Sequence, residues 1–304
     1  MSRRIAVTGA SGFIGRHVTA HLAARGDEVL VVRRPFEHAA LLETLRGADA
    51  VVHLAGVVSA LREQDYVSAN VDGTRAVAAA ARASGAALIH ISSLAAAGPA
   101  SPRAPRTEDD PPAPINAYGR SKLEGERAVA AMDGLRWTIL RPGVVYGPGD
   151  RALLPVFRLA ARGILPLVGR ADAAYTFIHV ADLVRAVTAA VDSPAAGDTL
   201  FVGHAQPVST RDLLDGVRTV TGGRAVIVRV PMAVTRLAAF AGDAAGMLLG
   251  ARAVINSRRY AELASEGFVC RVDRLRDRLG VVAQIDLREG LADACAWYRN
   301  ERWL

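Results

Sequence analysis

Short apolar runs alternate, along the first part of the chain, with longer stretches whose apolar residues recur three and four positions apart. Ile5-Ala6-Val7-Thr8, starting at about Arg4, predicts a strand, and the pattern that follows predicts a helix to about Arg25. Gly26-Asp27 turns into a second strand, Glu28–Arg33. A helix from about Phe36 to Arg46 leads into Asp49-Ala50-Val51-Val52-His53-Leu54-Ala55-Gly56, a buried parallel strand ending in small residues. Asn70 opens an alanine-rich helix to about Ser84, and Ala87–Ser93 predicts another strand. Six prolines between Gly98 and Pro114 make that segment an irregular loop arching over the strand ends, and a helix begins at Asn116. The alternation predicts an α/β fold, a doubly wound parallel sheet, with a smaller C-terminal lobe. The expected division is 1–165, with a returning segment at about 176–203, and 204–304, with about 166–175.

Chemistry enters where the first strand meets the first helix. Gly9, Gly12 and Gly15 are three apart, with Ser11, Phe13 and Ile14 between and beside them. Gly9 suits the tight turn, Gly12 lets backbone N–H groups approach a pyrophosphate, and Gly15 lets the helix pack close to the sheet. The end of the second strand is where a dinucleotide fold meets the adenosine ribose. An acid there accepts from the 2′-hydroxyl of NAD, whereas arginine accommodates the 2′-phosphate of NADP. Arg33 and Arg34 stand there with no acid before Glu37, so the expected cofactor is NADP, with NAD as the alternative.

Composition narrows the classes. The formal charge of +7 is carried by scattered residues apart from an arginine-rich stretch at 271–278, and aromatic residues are 5% of the chain. That pattern offers no base-stacking platform, so nucleic acid is not an expected partner. Pro231 to about Gly250 is the most apolar helix expected, but Arg236 and Asp243 interrupt it, and no membrane partner is expected. A first strand at about Arg4 leaves no room for a leader, and Cys270 and Cys295 lack metal-ligand spacing. The expected location is the cytoplasm, with reduced thiols and no metal.

Lys122 is the only lysine among 37 basic residues. A lysine retained against such a bias belongs where a compact ammonium is needed and a guanidinium fork does not fit. Tyr118 lies four positions earlier, on the same helical face. His53, within an apolar strand, reads as a satisfied core histidine.

These landmarks, with Ser92-Ser93, Arg141-Pro142-Gly143-Val144-Val145-Tyr146-Gly147 and Phe177-Ile178-His179-Val180-Ala181-Asp182, resemble the extended short-chain dehydrogenases/reductases of the epimerase/dehydratase superfamily over nearly the whole chain. The resemblance implies that Tyr118 exchanges a proton with the substrate oxygen while hydride moves at the nicotinamide. It gives Lys122 the nicotinamide ribose and the stabilisation of the phenolate, Ser93 the substrate oxygen, and Asn70 a proton-relay water. A free tyrosine titrates near 10, so a base at neutral pH needs a downward shift of roughly 3 units, about 4 kcal/mol. By family position the cofactor would also meet Leu54, Ala55, Gly56, Ile91, Ser92, Pro142, Gly143 and Val145, and the substrate Val57, Leu94, Tyr146, Arg151 and Tyr175. A homodimer through the helices near 70–84 and 117–132 is implied as well.

The chain departs from the pattern in three places. Only 15 positions separate Arg34 from Asp49, so the third, edge strand is expected to be missing, with the acid that usually touches adenine. Leu94-Ala95-Ala96 lacks the Asp-Glu pair of sugar-nucleotide dehydratases. Val144 and Tyr175 stand where epimerases usually carry asparagine and a phosphate-binding arginine. The chain thus resembles the 3β-hydroxysteroid dehydrogenase and dihydroflavonol reductase branches. The expected activity is NADP(H)-dependent hydride transfer to or from a small, largely apolar carbonyl or secondary alcohol. A nucleotide-sugar 4-epimerase and a non-catalytic NADP sensor are the alternatives.

Overall fold

A computed structural model describes residues 2–60, 62–193, 197–237, 261–262 and 264–304. The expected helix from Pro231 to Gly250 falls mostly outside them. Six parallel strands form the central sheet in the order β10-β5-β4-β3-β1-β2. They are β1 (Arg4–Thr8), β2 (Glu28–Val32), β3 (Ala50–His53), β4 (Ala87–Ile91), β5 (Trp137–Pro142) and β10 (Asp198–Val202). With β2 at the edge, no strand follows it outward, as the short Arg34–Asp49 connection predicts.

Alternate residues of each strand enter two layers. Ile5, Val7, Ile89 and Ile91 pack with α1 (Phe13–Ala24), α7 (Val180–Asp192) and Leu275 of α9 (Asp273–Leu279) on one face. Ala6 and Leu88 pack with α2 (His38–Thr44), α4 (Gly73–Ser84) and α5 (Ala117–Ala130) on the other. Both faces are covered, which is why these strands are continuously apolar. The chain leaves β1 toward β2 and returns to β3 on its other side, so the crevice beyond the strand ends lies at β1 and β3.

A second core holds the lobe. Tyr146 of β6 (Val144–Tyr146), Phe157 of α6 (Leu154–Ala161), Leu165 and Leu167 of β7 (Ile164–Leu167), Leu214 of α8 (Thr210–Val220) and Tyr298 of α10 (Leu287–Asn300) are buried together. The segment from 154 to 165, expected with the first domain, therefore packs in this core. Three small sheets complete it: β6 with β9 (Phe177–His179), β7 with β12 (Val226–Arg229), and β8 (Ala174–Tyr175) between β11 (Val208–Ser209) and β13 (Gly267–Phe268). The proline-rich loop bridges the two parts: Arg106 N–H donates to Val269 O of the lobe at 2.9 Å, and Phe201 N–H of β10 in the central sheet donates to Glu108 Oε1 at 3.0 Å.

Candidate active site

Gly9, at φ +70°, sits so close to the end of β3 that a Cβ there would lie 2.8 Å from Ala55 N. A Cβ on Gly15 would lie 2.1 Å from Gly9 O, so α1 reaches the loop only because position 15 is bare. Gly12 is the N-cap of α1 and gives it no side-chain cap, and the first turn holds no acid. Its N–H groups and positive end are thereby left for an anion, which fits the pyrophosphate of a dinucleotide. Ser11 is exposed beside them, and Ile14, Leu54 and Val145 pack below on the core. Arg33 and Arg34 are exposed past the end of β2 and have no carboxylate partner among the described residues; Arg34 lies 5.8 Å over the Phe36 ring.

The mouth of β3 is fixed by a directional chain. Ala55 N–H donates to Thr8 Oγ1 at 3.1 Å, and Thr8 Oγ1 is 2.7 Å from His53 Nδ1. His53 Nε2 is 3.1 Å from Thr74 Oγ1, which donates to Asn70 O at 2.8 Å. Donors and acceptors balance only for neutral His53 with its proton on Nε2. Burial pulls its pKa down to about 3. His53 is the satisfied core histidine that the strand pattern suggested.

Asn70 does not open its helix. The helix starts earlier, at α3 (Glu63–Tyr66), and passes through a π turn, Val67–Asp72, into α4. In that wider turn Asn70 Oδ1 accepts from Val57 N at 2.8 Å, while Nδ2 donates to Val57 O at 3.0 Å and Ser121 Oγ at 2.9 Å. All its polar atoms are thus engaged in holding the loop after Gly56 against α5. Asn70 was expected to open the helix; the chain is already helical there, and the side chain joins the loop after Gly56 to α5.

Two bare positions bring α5 to the site. A Cβ on Gly119 would lie 2.4 Å from Ala95 O, and one on Gly125 would lie 2.4 Å from Asn70 O. Asn116 caps the helix, its Oδ1 accepting from Gly119 N–H at 2.7 Å, and Nδ2 reaches Glu262 Oε1 at 2.5 Å. Tyr118, half-buried, consequently faces Ser93, the N-cap of the turn Leu94–Ala96. Burial, Glu262 and Tyr66 raise the Tyr118 pKa, against a hydrogen bond with Ser93 that lowers it. The protein's own groups therefore keep this phenol protonated, contrary to the lowered value expected of a base. Lys122 does not act on it here: buried Nζ donates to Ile91 O at 2.7 Å. Burial brings the Lys122 pKa down to about 8, opposed by Glu126 one turn on.

Glu126 was not legible as a site residue. It accepts from Arg141 Nε at 2.9 Å and Nη2 at 2.6 Å, and from Ser92 Oγ, all buried. The Ser92 side chain is thereby turned into the core and away from the crevice. Tyr146 likewise is core: it is 1% exposed, its hydroxyl donates to Asp286 O at 3.1 Å, and it packs edge-on against Phe177. Arg151 lies 5.0 Å over the Trp303 ring. Pro142 is buried at the end of β5, and a Cβ on Gly143 would lie 2.1 Å from Thr176 O, so both serve strand packing. Leu94 shares an apolar cluster with Tyr175 and Phe268, whose rings are stacked 6.4 Å apart. Val57 shares another with Tyr66, Ala117 and Tyr118. Apolar groups thus flank both Ser93 and Tyr118. No group of three metal-ligating side chains is present among the described residues.

A glycine loop against an open helix end, with Ser93, Tyr118 and Lys122 beyond it, defines an NAD(P)-dependent oxidoreductase or epimerase. The chain belongs to the NAD dependent epimerase/dehydratase family, whose model matches residues 5–203. It is 30% identical to the ceramide reductase of Caulobacter vibrioides over 99% of this chain and 96% of that one. It is 27% identical to a 4-hydroxy-2-methyl-3-oxo-4-farnesyl-3,4-dihydroquinoline-1-oxide ketoreductase of Stigmatella aurantiaca, over 95% and 94%. Among solved structures, MoeE5 in complex with UDP-glucuronic acid and NAD matches with a TM-score of 0.79 and 26% identity, over 98% of this chain and 99% of that one.

Proposed function

We propose that the protein is an NADPH-dependent ketoreductase acting on a carbonyl within a largely apolar molecule. The observation that carries this reading is the apolar lining on both sides of the Ser93–Tyr118 pair: Leu94, Tyr175 and Phe268 on one side, Val57 and Tyr66 on the other. Charge-assisted contacts of the kind a sugar-nucleotide diphosphate needs are not supplied by Val144 or Tyr175. Similarity to a ceramide reductase and to a ketoreductase of a farnesylated quinoline supports the same substrate class.

NADPH, when bound, supplies the hydride. The Gly9–Gly15 loop and the α1 N-terminus would hold its pyrophosphate, Arg33 and Arg34 the 2′-phosphate, and Lys122 the nicotinamide ribose. The Ser93 hydroxyl donates to the carbonyl oxygen and polarises it. The Tyr118 phenol, kept protonated by burial and by Glu262, gives its proton to that oxygen as the carbonyl carbon is reduced. That protonation state suits reduction better than oxidation.

Titration of cofactor-stripped protein with NADPH and NADH, beside an Arg33→Ala/Arg34→Ala variant, tests the cofactor. A preference for NADPH that disappears in the variant is expected; equal affinity in the unmodified protein would sink the arginine argument. Oxidation of NADPH by long-chain ketones then tests the substrate class. The second reading, nucleotide-sugar epimerisation, rests on the similarity to MoeE5 with its bound UDP-glucuronic acid and NAD and to a UDP-glucose 4-epimerase of Vibrio cholerae, and it replaces the first if UDP-sugars interconvert without cofactor turnover while ketones are inert.

A further inference from the structure

The β7–β12 ribbon of the lobe has one face that nothing among the described residues covers. Its register sets Ile164 opposite Val226 and Pro166 opposite Val228. Leu165 and Leu167 point into the lobe core, whereas Ile164, Val226 and Val228 are 54%, 62% and 47% exposed. The helical turn at 232–237 that follows exposes Val234 and Leu237. Five of the ten exposed large hydrophobic side chains among the described residues are in these two stretches, and Ile164, Val226 and Val228 share one face of the ribbon.

The charges around the patch have one sign. Residues 154–171 and 216–237 contain no Asp or Glu, but they contain Arg158, Arg162 and Arg170 in the first and Arg218, Arg224, Arg229 and Arg236 in the second. Arg162, Arg224 and Arg229 are exposed and have no carboxylate partner among the described residues. Among the described residues, the acids that adjoin these segments in sequence are engaged: Asp172 with Arg170, Asp212 with Ser209, and Asp215 with Arg211 and Arg218.

We propose that this face docks the protein on the surface of an anionic lipid bilayer. The set consists of exposed apolar side chains flanked along the chain by exposed guanidinium groups, Arg162, Arg224 and Arg229, on long apolar stems. Such a surface enters the boundary between acyl chains and headgroups while the guanidinium groups stay at the level of the phosphates. A second copy of the chain fits it worse. A two-fold contact would set these arginines against themselves, with no carboxylate in the described flanking segments 154–171 and 216–237 to relieve the repulsion. The exclusion of a bilayer-spanning helix is untouched, since contact at the surface needs none; among the described residues no helix is long and apolar enough to cross a membrane.

Co-sedimentation of the full chain with phosphatidylcholine vesicles, with and without phosphatidylglycerol, tests the assignment. Binding is expected only to the phosphatidylglycerol-containing vesicles, and salt should weaken it. Arg162→Glu/Arg224→Glu/Arg229→Glu should weaken partitioning by about a hundredfold, and Val226→Ser/Val228→Ser should weaken it as well. NADPH affinity, measured on both variants, should be unchanged and reports that they are folded. Failure of the unmodified protein to bind anionic vesicles overturns the proposal. So does equal binding by the valine variant, which would reduce the contact to charge alone. An oligomer that the valine variant disperses would assign the face to a second copy and overturn it too.

Discussion

Acid should destabilise this protein well above the carboxylate range, and two histidines behind the crevice are the reason. His53 and His90 are opposite each other on β3 and β4, fully buried, with rings stacked 5.3 Å apart. His53 is held neutral with a pKa of about 3, and burial with the Lys122 ammonium puts His90 well below its ordinary value. In the unfolded chain both titrate near 6.5. Below that pH the unfolded state binds protons that the folded state cannot accept, so stability falls as pH falls from about 6.5 toward the folded-state values. For one such group the loss between pH 7.5 and 5 is about 2 kcal/mol, and about twice that for the pair. Urea denaturation followed by circular dichroism across that range measures it. The comparison is His53→Asn/His90→Leu, which removes both titrating rings. The variant is expected to start from a lower stability but to lose much less of it on acidification, so the slope and not the level is the readout. A flat profile in the unmodified protein, or the same slope in both, would refute the assignment of these rings as buried neutral groups.

Other outcomes follow from the site. Tyr118→Phe should lower NADPH turnover by about a hundred- to ten-thousandfold with NADPH affinity intact; an effect within tenfold would remove Tyr118 as the proton donor. Gly15→Ala places a Cβ 2.1 Å from Gly9 O, so α1 must move off the loop, and calorimetry should show NADPH affinity down at least about tenfold. Glu126→Gln strands the buried Arg141 guanidinium and should cost about 3–5 kcal/mol of stability in urea. Glu126→Leu/Arg141→Met should recover much of that loss, and a double variant no better than the single would contradict the pairing.

The order of strands and helices was legible because both faces of the sheet are covered, so strands appear as unbroken apolar runs and helices as periodic ones. The short link from Arg34 to Asp49 likewise announced the missing edge strand, since no further strand and return helix fit there. Boundaries that depend on contacts distant in sequence were not legible. Asn70 has the residue type of a helix cap, and only the approach of Val57 and Ser121 shows why the helix runs through it in a π turn. Likewise α6 joins the lobe because Phe157 meets Tyr298, far along the chain, edge-on at 5.1 Å.

At the site the same division separates chemistry from support. Tyr118 and Lys122 were readable because the roles proposed for them need particular functional groups at fixed helical spacing, and Ser93 because it stands just past the strand β4. Gly119, Gly125 and Glu126 share that helix but act through absence of bulk or through a buried partner, and neither leaves a periodic trace. Their effect is nevertheless what sets the chemistry. Without bare positions at 119 and 125, α5 could not reach Ala95 and Asn70, and Tyr118 would stand away from Ser93. Glu126, one turn beyond Lys122, partly offsets the burial that lowers the ammonium's pKa to about 8, so at neutral pH Lys122 remains a cation able to hold ribose hydroxyls. Residue types therefore name the reaction class, whereas the protonation states on which the proposed reduction relies come from which surfaces are allowed to touch.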